Sequence, residues 1–434
     1  MTLRDEVTGL LQALLRLDTV NPPGNETQAA ELLGDYLAQN GVEAELYARV
    51  PERANLVARI KGGDGPSLAF LCHTDTVLAD PAEWERDPWS GDLVDGEIWG
   101  RGALDMKDQV AANAVAFASL AREGFVPSGD LLFIATADEE VGGLAGVGGY
   151  GLVWLCEEHP DAVRCDYAIN EGGGERLLLG EAPVYLCGVA EKASAPFVVR
   201  VHGRSGHASM PGIADNALVK AARYVEALGA FEPPRELIPE AQGVLETFLG
   251  EVPPPDEAVA RARSVDPMLA ALVEPLLAFT LSPTMIAASH QRNVIPALCE
   301  ITVDCRLLPE TTPADVEPLI RAALGNGRYD LEFEESVGGT RSSMETPLWS
   351  ALEQFTGEIE PGARLAPFAN PGFTDSHYLR EAFGTVAYGF FPGRTMDPEE
   401  ATKLIHSANE RIAVDDLELG VDMLRSVARS LLAS

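Results

Sequence analysis

A chain of 434 residues exceeds what one hydrophobic core organises, so roughly two to three domains are expected. Its 46% apolar content supplies ample core material, and no run approaches the roughly 20 apolar residues that a bilayer crossing requires. A net charge of −35 argues against nucleic acid and anionic membrane surfaces as partners and reads as a solubilising surface.

The opening residues 3–17 have the spacing of an amphipathic helix. Arg4, Asp5, Glu6, Arg16 and Asp18 break up its apolar content, so it lacks the features of an export signal and a cytoplasmic location is expected. A loop with Asn21-Pro22-Pro23-Gly24 follows, and Asn25 with Gln28 reads as a capping box for a helix that stops at Gly41. Apolar runs at 54–60, 67–72, 131–137 and 167–170 read as strands, with a helix over 108–123 and a glycine-rich stretch over 142–151. Such alternation gives an α/β fold, a mainly parallel sheet with helices on both faces.

Near Glu191 the pattern changes. Residues 194–201, 300–307 and 331–337 read as strands and 216–228 and 313–324 as helices, with a Pro-rich acidic stretch at 231–267 expected to be irregular or partly helical. These suit a smaller α+β module. The first pattern resumes with a helix from Pro347, a strand over 385–391 and a last helix over 415–432 that starts on acidic residues. The expectation is a catalytic domain in two parts, 1–190 and 340–434, interrupted by a second domain over 191–339. Six scattered cysteines with no C-x-x-C pair read as reduced thiols. Cys72 faces away from His73 on a period-two strand.

Ligands of open α/β sheets gather beyond the carboxyl ends of the strands. His73 ends one apolar run, Glu139 and Glu140 another, Glu171 a third, and Asp105 lies in the turn before a helix. Imidazole mixed with carboxylate, plus a spare glutamate, is the donor set of hydrolytic zinc chemistry, whereas oxygen alone suits magnesium and sulfur alone a structural zinc. Asp75 stands where it can accept the other N–H of His73 and fix the ring. Glu139 and Glu140 are adjacent and point differently, so one can bind metal while the other takes a proton.

The segments Leu71-Cys72-His73-Thr74-Asp75, Gly100-Arg101-Gly102 through Asp105-Met106-Lys107, Asp138-Glu139-Glu140, Asn170-Glu171-Gly172, Gly206-His207-Ala208 and Ile405-His406 occur in this order. Together they resemble the zinc-dependent family of aminoacylase, glutamate carboxypeptidase, succinyl-diaminopimelate desuccinylase and carnosine dipeptidase. The resemblance implies two zinc ions bridged by Asp105, with His73 and Glu171 completing one site and Glu140 and His406 the other. It also implies Glu139 as general base, Asp75 as the residue orienting His73, and the 191–339 module as a lid or dimerisation domain. His207 would then enter the partner subunit's active site and polarise the scissile carbonyl. Asn293, in Asn293-Val294-Ile295-Pro296, would lie near substrate.

The segment Gly372-Phe373-Thr374-Asp375-Ser376-His377 departs from the family at His377, where an arginine often holds a substrate carboxylate. Gly372 and His377 are thus candidates for substrate contact, with Arg380, one helical turn on, either a compensating cation or a solvent-facing residue without a role. The resulting reading is a dimeric two-zinc hydrolase that cleaves an amide bond next to an amino acid, with an N-acyl amino acid or short peptide as substrate. Cobalt or manganese suits the same donors. A dipeptidase or carboxypeptidase of the same family is the first alternative. A non-catalytic binding member and a two-metal phosphoesterase fit less well, because no ligand or base is missing and few phosphate-binding cations accompany the motifs.

Overall fold

Leu68 to Cys72 form an unbroken apolar run, the pattern of a strand covered on both faces. In the computed structural model, which describes residues 2–141, 149–178 and 182–433, this run is fully buried in the strand Leu68–His73. Parallel neighbours flank it. Leu131–Thr136 pairs on one side with His73 opposite Thr136, and Tyr167–Asn170 on the other with Phe70 opposite Ile169. Val386–Gly389 continues the parallel set beside Tyr167–Asn170. Antiparallel pairings and one outer strand complete a nine-stranded sheet among the described residues: Ala44–Ala48 and Ala54–Ile60 at one end, Val184–Glu191 at the other, Arg176–Leu177 against Val184–Glu191, and Arg364–Asn370 beyond it, bonded by Arg364 N to Pro183 O and by Lys192 N to Asn370 O. The fold is α/β, and the parallel pairing is concentrated at the centre of the sheet.

Helices cover both faces. On one, Lys107–Arg122 packs on the two central strands, with Phe117 against Phe133 at 6.0 Å between ring centroids. Its run of buried alanines allows this close approach, and Leu3–Leu15 and Val414–Leu431 pack behind it. On the other face, Ala69, Leu71, Leu132, Ile134 and Ala168 form a core with the helices Leu152–Glu158, Pro160–Val163 and Ser376–Phe383.

The chain divides into two units: Met1–Val189 with Ser342–Phe368 and Thr374–Ser434, and Ala190–Arg341 with Ala369–Phe373. The second is an antiparallel sheet in the order Tyr329–Phe333, Phe197–His202, Leu298–Leu307, Ala193–Ser194, Val337–Gly338, with Thr280–Ala287 along the far side of Leu298–Leu307. Phe197, Val199 and Val201 alternate inward and pack with Cys299, Ile301 and Val303 on the helices Ala217–Gly229 and Pro313–Leu324. This is the one-sided burial that an antiparallel sheet permits.

One local expectation is corrected. The helix Thr27–Gln39 starts with Glu26 at its cap position and no side-chain cap, so the Asn25–Gln28 box does not form. Glu26 is buried, and its carboxylate is drawn onto Arg53 at 2.6 Å instead. The Pro-rich stretch is helical over Pro239–Leu249, Pro255–Val265 and Pro267–Val273. Of the glycine-rich 142–151 stretch, residues 142–148 lie outside the described residues. Among the described residues no helix is long and apolar enough to cross a membrane.

Candidate metal centre

The parallel strands end together at His73, Thr136 and Asn170, so the residues that follow them share one edge of the sheet. Glu171 comes directly after Asn170, and its backbone passes so close to the next strand that a Cβ on Gly389 would meet Glu171 O at 2.1 Å. Beyond Thr136 the chain turns at Asp138, whose φ of 64° is one of the few left-handed conformations that an aspartate tolerates. Asp138 accepts Asn21 Nδ2 and Arg53 Nη2, both at 2.9 Å, and Tyr150 N at 3.0 Å. Glu139 and Glu140 therefore stand in a braced turn rather than on the strand itself.

Asp75 fixes their backbones. Its fully buried carboxylate accepts the N–H of Glu139 and of Glu140, each at 3.1 Å, and Asn21 Nδ2 at 2.9 Å. It also lies 3.4 Å from His73 Nδ1, but the nearer partner of that nitrogen is the Asp75 carbonyl at 3.1 Å. Burial raises the Asp75 pKa, yet His73 and these donors hold it below the usual carboxylate value.

Asp105 occupies the centre. One oxygen, Oδ1, lies 3.2 Å from His73 Nε2, and the other, Oδ2, lies 3.0 Å from His406 Nε2. Glu171 Oε1 is 3.7 Å from His73 Nε2, Glu140 Oε2 is 3.3 Å from His406 Nε2, and Glu139 Oε2 is 4.0 Å from His73 Nε2. His406 itself holds a left-handed φ of 60° between the helix Pro398–Leu404 and the strand Arg411–Ala413. All six side chains named from the sequence thus converge within the first unit.

This donor set fits divalent cations. Ligands about 2.0–2.1 Å from a tetrahedral zinc stand about 3.3 Å from each other, the spacing seen around Asp105. His73, Asp105 and Glu140, and again His73, Glu139 and Glu171, each offer donors close enough to share one ion. Glu140 Oε1 is buried with no hydrogen-bond partner among the described residues, an orphan that a cation would satisfy. Charge points the same way. Asp105 and Glu140 push His406 up to about 10, and His73 is raised well above its usual value by Glu171, Asp105 and Asp75 against the effect of burial. Burial pushes Glu171 up to about 7, and burial together with Glu171 raises Glu139 well above the carboxylate range. The cluster draws positive charge and holds one carboxylate beyond those paired with imidazoles.

Asp375 was not singled out by sequence reasoning. It is buried, accepts Thr136 Oγ1 at 2.6 Å, and burial pushes it up to about 7. Asn21 likewise carried no signal beyond its place in a Pro-rich loop. Cys72 points into the core, 3.6 Å from Ile134 O. Arg380 is buried, with Nε donating to Ser342 Oγ at 3.0 Å and Nη2 to Ala387 O at 2.6 Å. These bonds tie its helix to the strand Val386–Gly389. His377 is also buried, 3.3 Å from Glu381, and burial with Arg380 takes it down to about 4, so it is a neutral ring at pH 7.

In the second unit, Gly206–His207 pairs with Val294–Ile295, and Ala208 N donates to Asn293 O at 3.0 Å, so His207 and Asn293 share one ribbon. Ser209 N donates to His207 Nδ1 at 3.3 Å, which leaves the ring proton on Nε2 of the exposed side chain. Gly372 has open space where a Cβ would stand.

A family profile described as Peptidase family M20/M25/M40 matches residues 69–430. Relatives named succinyl-diaminopimelate desuccinylase include one from Methylobacterium sp. (strain 4-46), 29% identical over 98% of this chain and 94% of its own. Another from Methylorubrum populi is 29% identical over 94% of both. The fold is shared with an M20 family metallo-carboxypeptidase, Sso-CP2, from Sulfolobus solfataricus, with a TM-score of 0.72, 18% identity and 99% of each chain covered. It is shared too with human carnosine dipeptidase 1, with a TM-score of 0.63, 16% identity and 99% and 97% covered.

Proposed function

Since the chain belongs to peptidase family M20/M25/M40 and is a metal-dependent hydrolase of amide or peptide bonds, we propose that it is a two-zinc enzyme acting on N-acyl amino acids. The observation that carries the two-ion reading is Asp105, with one oxygen turned to each imidazole. Asp105 would serve both ions, with His73 and Glu171 holding one and Glu140 and His406 the other. Bound zinc supplies Lewis acidity for the scissile carbonyl and the attacking water.

Glu139 does the proton work. It takes a proton from the attacking water and returns it to the leaving nitrogen. Asp75 holds the Glu139 N–H and so aims that carboxylate. His207 of a second copy presents Nε2–H to the developing oxyanion, the tautomer that the Ser209 N–H enforces. The second copy docks along Thr280–Ala287, whose outer edge is unpaired among the described residues and carries exposed Met285 and Ile286. Asn293, on the His207 ribbon, contacts substrate.

The acyl preference rests on the name of the desuccinylase relatives, whose substrate carries a succinyl group. A panel of N-succinyl and N-acetyl amino acids against dipeptides, with metal content measured before and after chelation, tests it. Turnover of the N-acyl compounds that vanishes with the metal is expected. Turnover of dipeptides alone overturns the substrate assignment in favour of a dipeptidase.

A further inference from the structure

Glu410 lies far in sequence from the Asp105 turn, yet it holds most of that turn's backbone. Its carboxylate is fully buried. Oε1 accepts Leu104 N at 2.6 Å and Asp105 N at 3.0 Å; Oε2 accepts Gly102 N at 3.1 Å and Arg101 Nη1 at 2.5 Å. The Glu410 carbonyl also accepts Gly100 N at 3.0 Å. Both carboxylate oxygens are thus saturated by N–H donors, which removes Glu410 from any role as a metal ligand although it stands beside one.

Arg101 carries the connection onward. While Nη1 binds Glu410, Nη2 donates to Ser407 O at 3.0 Å, the residue after His406, and to Leu78 O at 3.4 Å. Asn409, one residue before Glu410, accepts Glu85 N at 2.8 Å through Oδ1. The segment His406–Glu410 is therefore bonded to the Asp105 turn and to the loop that follows His73. His406 and Asn409 both hold left-handed backbones, with φ of 60° and 64°, a conformation that persists only where surrounding bonds determine it.

We infer that Glu410 and Arg101 are positioning residues that set the separation of Asp105 from His406 and thereby the affinity of the cation site those two share with Glu140. The inference rests on the two-ion reading above. Removing a group that orients a metal ligand lowers metal affinity about 10–100-fold, and the same loss is expected here, largest at the ion that His406 and Glu140 hold and smaller at the one that shares only Asp105.

Metal-stripped wild type, Glu410→Gln and Arg101→Lys are titrated with cobalt(II), following heat and the visible absorption of the bound ion, with circular dichroism and thermal unfolding alongside. Wild type should bind two ions per chain. The variants should weaken one affinity about 10–100-fold and the other by less, with an altered cobalt spectrum. Raising the metal concentration should restore their turnover, which it does not do for a purely structural defect. Arg101→Lys keeps the buried charge balance, so it remains readable where Glu410→Gln does not fold. Two undiminished affinities in a folded variant overturn the positioning role, as does unfolding of both variants. Wild type that binds no ion pair overturns the two-ion reading instead.

Discussion

Replacing Glu139 with glutamine removes one ionisable oxygen and almost no volume, while the Asp75 bond to its backbone N–H is untouched. Metal content should therefore stay near two ions, and turnover should fall about 10²–10⁴-fold, the usual contribution of a general base. Near-normal kcat in a metal-replete Glu139→Gln enzyme removes Glu139 from that role. His406 was named only through the family resemblance; the other five of the six clustered side chains were legible because each closes an apolar run or sits in a glycine-bounded turn, signals that survive in one dimension. The residues that brace them were not. Asn21, Arg53 and Glu410 reach Asp75, Asp138 and Gly102 at separations of 54, 85 and 308 positions, and nothing local distinguishes them from solvated polar residues. Asp75 was legible as a neighbour of His73, but its larger task, holding two consecutive N–H groups of the Glu139 turn, depends on a contact 64 and 65 residues distant.

Among elements, the second unit begins with a buried lysine whose titration can be isolated. Lys192 Nζ donates to Pro275 O and Ala278 O, both at 2.9 Å, and burial pushes it from 10.5 down to about 8. Below pH 8 the ammonium is charged in both folded and unfolded chains, so the burial penalty is present in full. Between pH 8 and 10.5 the unfolded chain binds more protons, and stability contributed by this site rises with pH. Thermal unfolding at pH 7 and 9.5 should show wild type gaining on Lys192→Met across that window; parallel pH slopes for the two proteins contradict the shift. Elements buried on two faces were readable to within a residue or two, as for Tyr167–Asn170 and Leu131–Thr136. Ala44–Ala48 and Thr280–Ala287 were not, since each is a strand with mostly exposed side chains and no apolar alternation to detect. The 231–267 stretch is partly helical, as expected, and its prolines mark where the helices begin. Pro239, Pro255 and Pro267 each open a helix at its first position, where proline is favoured, rather than breaking one.

At the scale of the whole molecule, the chain returns after residue 341 to complete the first sheet, with Val386–Gly389 parallel to Tyr167–Asn170, and only then supplies His406. Sequence shows this as a pattern that stops and resumes; the pairing itself is long-range. Because the candidate ligands come from distant segments, cations bound by them would stabilise the folded chain over the unfolded one. At one hundred times the dissociation constant a ligand adds about 2.7 kcal/mol, so chelation should lower the melting temperature by several degrees and added zinc should restore it. An unchanged melting temperature after verified metal removal contradicts the cluster as a cation site. The His207 assignment makes a further demand, because its ribbon belongs to the second unit and its proposed target to another copy. His207→Ala and Glu139→Gln proteins should each be nearly inactive, for different reasons. When mixed, a heterodimer joins one intact Glu139 site to the intact His207 of the other subunit. With random exchange about half the dimers are mixed and one of two sites works in each, so roughly a quarter of wild-type activity should return. Proven exchange without recovery would mean that each active site is completed within its own chain, and the exposed edge at Met285 and Ile286 would then need another explanation.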